Sequence, residues 1–142
     1  MVKPTIGLLG GSFNPAHAGH LALSRYALAA LQLDAVWWLI SPHNPLKDKA
    51  TLAAYRQRVV DAHALVAGET RIEVREDEAR FGTHYTIDTL ERLLAENPHH
   101  HFVYLMGADN FVTLERWQRW QDVMKLLPVA VLRRDPVLDT LQ

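Results

Sequence analysis

The sequence predicts an α/β fold built on a doubly wound parallel sheet of about five strands with helices on both faces. Short apolar runs bounded by Gly, Pro or Asp alternate with longer segments of helical length and composition. A chain of 142 residues also has room for one domain with a substantial core. An alternation of strands and helices requires right-handed crossovers between parallel strands, which distribute the helices over the two faces.

Five apolar runs are predicted to be buried strands: "TIGLLG" at 5–10, "AVWWLI" at 35–40, "RIEV" at 71–74, "FVYLMG" at 102–107 and "VAVLR" at 129–133. Four segments are predicted to be helices, at 19–32, 51–67, 85–96 and 108–126. The third helix carries a stripe of apolar residues at helical spacing, namely Ile87, Leu90, Leu93 and Leu94. We expect this stripe, and the tryptophans Trp37 and Trp38, to pack in the core.

Ligands of such sheets bind outside the carboxyl ends of the strands, near the switch in strand order. The polar segments that follow the predicted strands are 10–20, 41–49, 81–86, 107–110 and 133–136. We expect them to converge on one edge. Glu76, Asp77 and Glu78 lie outside these segments and are expected to form a solvated turn.

Composition excludes several classes of function. The formal net charge of −1 gives no broad electrostatic surface for nucleic acid or an anionic membrane. The chain has no cysteine, which excludes disulfides and thiolate-based zinc or redox chemistry. The stretch "MVKPTIGLLGG" at the N-terminus has too short an apolar run for a signal peptide or a membrane span. We therefore expect a cytoplasmic protein.

The stretch "LLGGSFNPAHAGHL", residues 8–21, is the most unusual in the chain. It matches neither the G-x-G-x-x-G dinucleotide pattern nor a P-loop. Gly10 and Gly11 nevertheless follow a strand, where the absence of side chains lets the backbone approach a ligand closely. Ser12 adds a hydroxyl, and a helix that begins near Gly19 directs its N-terminal amides into the same space. This combination favours an anion.

His17 and His20 can face the same way from a first helical turn, and three roles are open to them. Metal binding needs a third ligand, and no familiar zinc spacing supplies one, so we predict no metal ligands. A structural role would be capping or hydrogen bonding. We favour a direct role on phosphate, because imidazole donates hydrogen bonds to phosphoryl oxygens and does so more strongly when it is protonated.

Four separated motifs carry a family resemblance. "GGSFNPAHAGHL" resembles the signature of the H-x-G-H nucleotidyltransferase superfamily, whose core residues His17, Gly19 and His20 match. That superfamily includes cytidylyltransferases, pantetheine-phosphate adenylyltransferases and nicotinate-mononucleotide adenylyltransferases, and its fold is Rossmann-like. "SPHNPLKD" at 41–48, "FGTHYTIDTL" at 81–90 and "MGADNFVTLERWQRW" at 106–120 resemble the bacterial nicotinate-mononucleotide adenylyltransferases in spacing and order. Asn14 stands where many relatives have Asp.

The resemblance implies transfer of AMP from ATP to nicotinate mononucleotide, which gives deamido-NAD and pyrophosphate in NAD biosynthesis. It implies Mg²⁺ bound mainly through the phosphates of ATP, and those two nucleotides as the partners. One alternative is another acceptor, either pantetheine phosphate or nicotinamide mononucleotide. A further alternative is a nucleotide-binding fragment that is impaired in catalysis.

The resemblance also implies residue roles. The catalytic residues are His17 and His20. Residues implied to bind ATP are Gly10, Gly11, Ser12, Phe13, Gly19, Lys47, Gly107 and Asp109. Residues implied to bind nicotinate mononucleotide are Asn44, Tyr85, Thr86 and Trp117. The residues alone leave another reading of each open. By itself the pattern favours Trp117 as a core aromatic, and it also fits Asp109 and Thr86 as helix caps and Lys47 as a solvated loop residue.

The family pattern normally continues with further elements, including a Ser/Thr-rich motif whose Arg grips the ATP phosphates. The chain ends at "RRDPVLDTLQ" without that motif. We therefore expect residues 1–142 to form a single nucleotidyltransferase domain that lacks the C-terminal elements of the family. An uncovered sheet surface would favour association with a second copy of the chain.

Overall fold

The computed structural model describes residues 3–42, 46, 48–111 and 114–132, with the backbone alone of residues 109 and 110. Asn44 and Lys47, and the segment 133–136, lie outside the described residues. Within them the chain forms a parallel sheet of five strands in the order β3-β2-β1-β4-β5. The strands are β1 (Thr5–Gly11), β2 (Ala35–Ile40), β3 (Ile72–Arg75), β4 (His101–Gly107) and β5 (Val129–Leu132). The predicted α/β fold is confirmed.

The strand order reverses at the centre of the sheet, between β1 and β4. Leu8 of β1 lies opposite Trp37 of β2 on one side and opposite Tyr104 of β4 on the other. The crossovers from β1 lead outward in one direction and those from β4 in the other. The carboxyl ends of these two strands, at Gly11 and Gly107, therefore flank the crevice where doubly wound sheets bind ligands.

Helices cover both faces of the sheet. They are α1 (Ala18–Ala30), α2 (Lys49–Leu65), α3 (Asp77–Phe81), α4 (Thr86–Glu96), α5 (Ala108–Phe111) and α6 (Trp120–Leu126). One core cluster joins α1 and α2 to the sheet through Leu28, Tyr55 and Trp38. The opposite cluster contains Trp37 and the predicted stripe of α4, of which Ile87, Leu90 and Leu93 are fully buried and Leu94 is partly buried. The core placement of both tryptophans and of the stripe is confirmed.

The prediction of one helix over 108–126 was wrong. The described part of that segment contains α5, a 3-10 turn at Leu114–Arg116 and α6. Arg119, which precedes α6, has φ of 55°, a left-handed backbone that ends any right-handed helix. The sequence pattern shows apolar spacing but carries no sign of this local reversal.

The solvated turn expected at 76–78 was also wrong. Asp77 begins α3 and its side chain is only 2% exposed, because Arg75 and Arg80 donate to its two carboxylate oxygens. Burial raises the pKa of Asp77, but the hydrogen bonds and charges of the two arginines outweigh it and leave the pKa below its usual value. Arg75 also lies over the ring of Trp37, 3.9 Å from its centroid. Asp77 is therefore a buried anchor for α3, whereas Glu76 is exposed and Glu78 is partly buried.

Among the described residues, no helix is both long and apolar enough to span a bilayer.

Candidate active site

A cavity of about 290 Å³ opens at the carboxyl edge of the sheet. It is lined by Gly10 and Gly11 at the end of β1 and by Ser12, which follows β1. Thr86 at the start of α4 and Trp117 also line it. Ser41 of the motif at 41–48 also lines the cavity. The structure thus brings together residues from all four sequence motifs, as the convergence of the polar segments on one edge predicted.

Two glycines near the carboxyl edge of the sheet have different surroundings. A Cβ on Gly10 would lie 2.7 Å from the hydroxyl oxygen of Tyr104, so this position leaves room for a buried tyrosine. A Cβ on Gly107, at the end of β4, would meet no atom of the described structure within 4 Å. Among the described residues, nothing therefore fills the space beside Gly107.

Both histidine rings accept hydrogen bonds from backbone N–H groups at the start of α1. His17 is the N-cap residue, and its Nδ1 accepts a hydrogen bond from the backbone N–H of Gly19 at 3.0 Å. The backbone N–H of His17 donates in turn to Nδ1 of His20 at 3.0 Å. A nitrogen that accepts a hydrogen bond carries no hydrogen, so each neutral ring has its hydrogen on Nε2. The capping role is therefore present, and it leaves one Nε2–H donor on each histidine.

His20 rests on a buried aromatic platform. The ring of Phe13 packs on His20 with centroids 4.6 Å apart and stacks on Trp38 at 5.0 Å. The indole nitrogen of Trp38 donates to Oγ of Ser24 at 2.8 Å, and Ser24 donates to the carbonyl oxygen of His20 at 2.8 Å. The ring of His20 is therefore held by Phe13, and its backbone is held by Ser24.

Burial determines the protonation of His20. Desolvation is the main cause that lowers the pKa of His20 from 6.5 to about 4, and the neighbouring His17 lowers it further. The ring is neutral near pH 7 before a ligand binds. His20 thus presents a neutral N–H donor, rather than the protonated imidazole that the sequence left open.

Tyr104 and Thr86 both line the cavity, whereas His17 and His20 do not. Burial raises the pKa of the Tyr104 hydroxyl, and its interaction with the Thr86 side chain opposes that effect. Tyr85, the N-cap residue of α4, makes no side-chain capping bond. The backbone amides at this end of α4 are suited to bind an anion.

Trp117 lies both in the core and at the cavity. It packs partly buried against the apolar cluster of α4 and α6, edge-on to Tyr104 with centroids 5.9 Å apart. It also lines the cavity. One part of the indole is therefore core, and another part is available to a planar ligand.

The polar cavity residues that were missed from the sequence are Ser41, Glu78, His84, Thr89 and Tyr104. Burial raises the pKa of Glu78, against the opposing effects of a hydrogen bond with Ser41 and the proximity of His84. Ser41 and His84 lie within the polar segments at 41–49 and 81–86, so their position at the strand ends was the available signal. Glu78 gave no such signal because it was assigned to a solvated turn.

Other predicted site residues are less directly placed. Phe13 is 2% exposed with its ring in the core, so only its backbone can meet a ligand. Tyr85 is half exposed beside the cavity. Gly19 is the second residue of α1, and its N–H is used by the cap of His17. Asp109 lies in α5, where the structure describes its backbone only.

Comparison with known proteins identifies the family. The Cytidylyltransferase-like family model matches residues 8–142. The chain belongs to this family. It is 52% identical over 129 residues to a probable nicotinate-nucleotide adenylyltransferase of Parvibaculum lavamentivorans, a match that covers 91% of this chain and 64% of that protein. It is 54% identical over 129 residues to a probable nicotinate-nucleotide adenylyltransferase of Methylorubrum extorquens strain PA1, covering 91% of this chain and 69% of that protein.

The similarity in fold extends to solved structures. Plasmodium falciparum nicotinic acid mononucleotide adenylyltransferase complexed with NaAD matches with a TM-score of 0.76 at 17% identity, over 94% of this chain and 66% of that one. At that identity the match shows the shared fold. The chain spans less than two thirds of the first relative named above. The resemblance that the four motifs indicated is confirmed by these matches.

Proposed function

We propose that the protein transfers AMP from ATP to nicotinate mononucleotide, giving deamido-NAD and pyrophosphate. The observation that carries the proposal is the position of one cavity between two halves of different chemistry. The glycine turn at Gly10, Gly11 and Ser12 forms one half and suits phosphates, whereas Thr86, Tyr104 and Trp117 form the other and suit a planar ring with an anionic substituent. His17 and His20 follow the turn along the chain but do not line the cavity themselves. The names of relatives at 52% and 54% identity support the same reaction.

The proposed reaction forms one P–O bond and breaks another. An oxygen of the phosphate of nicotinate mononucleotide attacks the α-phosphorus of ATP, and the bond from that phosphorus to the bridging oxygen of pyrophosphate breaks. The attacking oxygen is already anionic, so no general base is needed. Catalysis then depends on alignment of two anions and on stabilisation of charge on the leaving pyrophosphate.

The two histidines are suited to this charge stabilisation. The Nε2–H groups of His17 and His20 are the donors that the mutual capping leaves over. Their orientation is set before a nucleotide binds, because His20 is held by Phe13 and by the Trp38–Ser24 hydrogen-bond chain. Preorganised donors of this kind need little rearrangement as charge develops. In this proposal Gly10, Gly11, Ser12 and the amide of Phe13 line the phosphate path.

The side chains near the glycine turn are compatible with a metal ion that is bound by the nucleotide and not by the protein. Among the described residues, no three His, Asp or Glu side chains cluster in a way that could hold a metal ion. The histidines offer N–H donors on Nε2, which suit phosphate oxygens rather than a cation. We propose that Mg²⁺ is bound mainly by the phosphates of ATP, where it would neutralise charge on the leaving pyrophosphate.

A substrate panel tests the proposal. We expect the purified chain to release pyrophosphate from ATP with nicotinate mononucleotide, and much less with nicotinamide mononucleotide or pantetheine phosphate. A preference for either of those acceptors would overturn the proposed substrate. Binding of ATP without pyrophosphate release from any acceptor would favour the alternative of a nucleotide-binding fragment impaired in catalysis.

A further inference from the structure

Arg58, on α2, donates hydrogen bonds to three backbone carbonyl oxygens at the carboxyl edge of the sheet. Its Nη1 donates to the carbonyl oxygens of Ser12 and Ser41, both at 2.7 Å. Its Nη2 donates to the carbonyl oxygen of Pro42 at 3.1 Å. Ser12 directly follows β1, and Ser41 and Pro42 directly follow β2. One guanidinium therefore joins the glycine turn to the neighbouring loop.

We propose that Arg58 is a positioning residue for the nucleotide phosphates, which holds the Ser12–Phe13 peptide in the orientation that binds them. The proposal rests on the proposed function, since it takes the bound anion to be the triphosphate of ATP. Arg58 does not line the cavity itself, so it would act through the backbone that it holds.

The geometry of the peptide unit links Arg58 to the ligand side. In a trans peptide the C=O of one residue and the N–H of the next point in opposite directions. Since Arg58 holds the carbonyl of Ser12 on its own side, the N–H of Phe13 points away from Arg58. None of the residues that the structure describes accepts a hydrogen bond from this N–H. It is therefore available to an anion.

Phe13 needs such support because its backbone conformation is unfavourable. Its φ of 53° is left-handed, a region that residues with a side chain seldom adopt. The buried ring, stacked on Trp38, holds the residue from one side, and the bond from Arg58 to Ser12 holds the preceding peptide. The turn is thus constrained on both sides of its strained residue.

Charge and shape both contribute to this arrangement. Within the described ranges, no Asp or Glu lies within 4.0 Å of the Arg58 guanidinium, so its positive charge is not neutralised locally and favours an anion in the turn. A planar guanidinium can bridge carbonyls of two loops, whereas the ammonium of lysine is a point charge on a flexible stem. Arg58→Lys therefore separates geometry from charge.

The experiment compares Arg58→Lys and Arg58→Met with Arg56→Met, a control at an exposed arginine on the same helix. Three quantities are measured: the thermal midpoint, the Kd for ATP with Mg²⁺ by calorimetry below that midpoint, and the Phe13 amide resonance by NMR. We expect Arg58→Lys to weaken ATP binding about tenfold to a hundredfold, as loss of charge-assisted hydrogen bonds predicts, and to shift the Phe13 amide resonance. Arg56→Met should leave both unchanged.

A Phe13 amide resonance that stays at its wild-type position in folded Arg58→Lys would overturn the proposal, whatever the ATP affinity. So would wild-type ATP affinity in that variant, because a residue that only stabilises the fold lowers the thermal midpoint without changing the Kd of folded molecules. If the unsubstituted chain binds no ATP, the proposed function fails for this chain. The amide resonance alone then decides whether Arg58 orients the turn. Arg58→Lys still gives that answer if Arg58→Met does not fold.

Discussion

The backbone N–H of His17 donates to Nδ1 of His20 at 3.0 Å, while Nδ1 of His17 accepts from the N–H of Gly19. This reciprocal arrangement ties the tautomers of both rings to the first turn of α1. The same atoms that cap the helix therefore determine which nitrogen carries the hydrogen. Capping and phosphate binding, which the sequence presented as alternatives, are compatible in this structure because they use different ring nitrogens.

Amide side chains at position 20 separate those two roles. His20→Asn can place an acceptor near Nδ1 and keep the bond from the His17 N–H, but it lacks a donor near Nε2. His20→Gln reaches further and can place its N–H₂ group near Nε2. We expect His20→Ala and His20→Asn to lower kcat about 10²–10³-fold, the typical loss of one preorganised donor, and His20→Gln to retain more activity.

Thermal unfolding of the same variants provides the stability control. We expect His20→Ala to lose about 1 kcal/mol, as for removal of a helix cap, and His20→Asn to lose less. Near-normal turnover in folded His20→Asn would contradict the role of Nε2 as the donor.

The pH dependence of stability follows from the lowered pKa of His20. The ring has a pKa of about 4 in the folded protein, compared with its ordinary value of 6.5. As pH falls from about 6.5 to about 4, the unfolded chain therefore takes up a proton that the folded protein does not. The contribution of His20 to the free energy of unfolding should decrease across that window and stay constant above it.

Denaturant unfolding of the wild type and His20→Gln at several pH values isolates this contribution, since the other titrating groups are common to both. An NMR titration of His20 should show its midpoint near pH 4. A midpoint near 6.5, or a difference between the two proteins that does not change with pH, would refute the prediction.

Alanine substitution of two glycines at the sheet edge should affect different properties. We expect a loss of stability at Gly10 and a loss of ATP affinity at Gly107. Gly10→Ala brings a methyl group against the hydroxyl of Tyr104, at 2.7 Å, and we expect it to destabilise the protein by about 1–3 kcal/mol. Gly107→Ala meets open space, so its stability should stay within about 0.5 kcal/mol of the wild type. If ATP approaches this backbone, Gly107→Ala should still raise the Kd for ATP about tenfold. Unchanged ATP affinity in Gly107→Ala would remove Gly107 from the predicted ATP site.

Replacement of Asp77 tests the buried anchor of α3. Asp77→Asn removes the charge that Arg75 and Arg80 contact, and we expect it to lower the free energy of unfolding by about 3 kcal/mol. Glu73→Gln is the matched control, because Glu73 is exposed and lies 3.7 Å from Arg75. Since the pKa of Asp77 is lowered, its contribution is present above its unfolded pKa and is lost as pH falls through the folded value. Equal stability of the two variants would mean that Asp77 behaves as a surface residue.

The periodic parts of the fold could be predicted from the sequence, because a strand or helix that buries one face repeats its apolar residues at a fixed spacing. All five predicted strands and the stripe at Ile87, Leu90 and Leu93 follow from that rule. The break at Arg119 and the burial of Asp77 could not be predicted this way. They depend on a single left-handed residue and on side chains that meet only after folding.

The candidate site shows the same division. Gly10, Ser12, Thr86 and Trp117 belong to motifs, and the structure brings them to one cavity. Glu78 and Arg58 belong to no motif. Glu78 reaches the cavity because α3 is anchored beneath it, and Arg58 reaches the glycine turn from a different helix. Contacts between side chains and distant backbone atoms have no periodic signature in a sequence.

Identification of the reaction product tests the central claim most directly. ATP, Mg²⁺ and nicotinate mononucleotide are incubated with the purified chain and, in parallel, with His20→Ala, and the products are analysed by chromatography and mass spectrometry. We expect deamido-NAD and pyrophosphate in equal amounts with the wild type, and about 10²–10³-fold slower formation with His20→Ala. Release of phosphate or pyrophosphate without a dinucleotide, or equal rates for the two proteins, would contradict it.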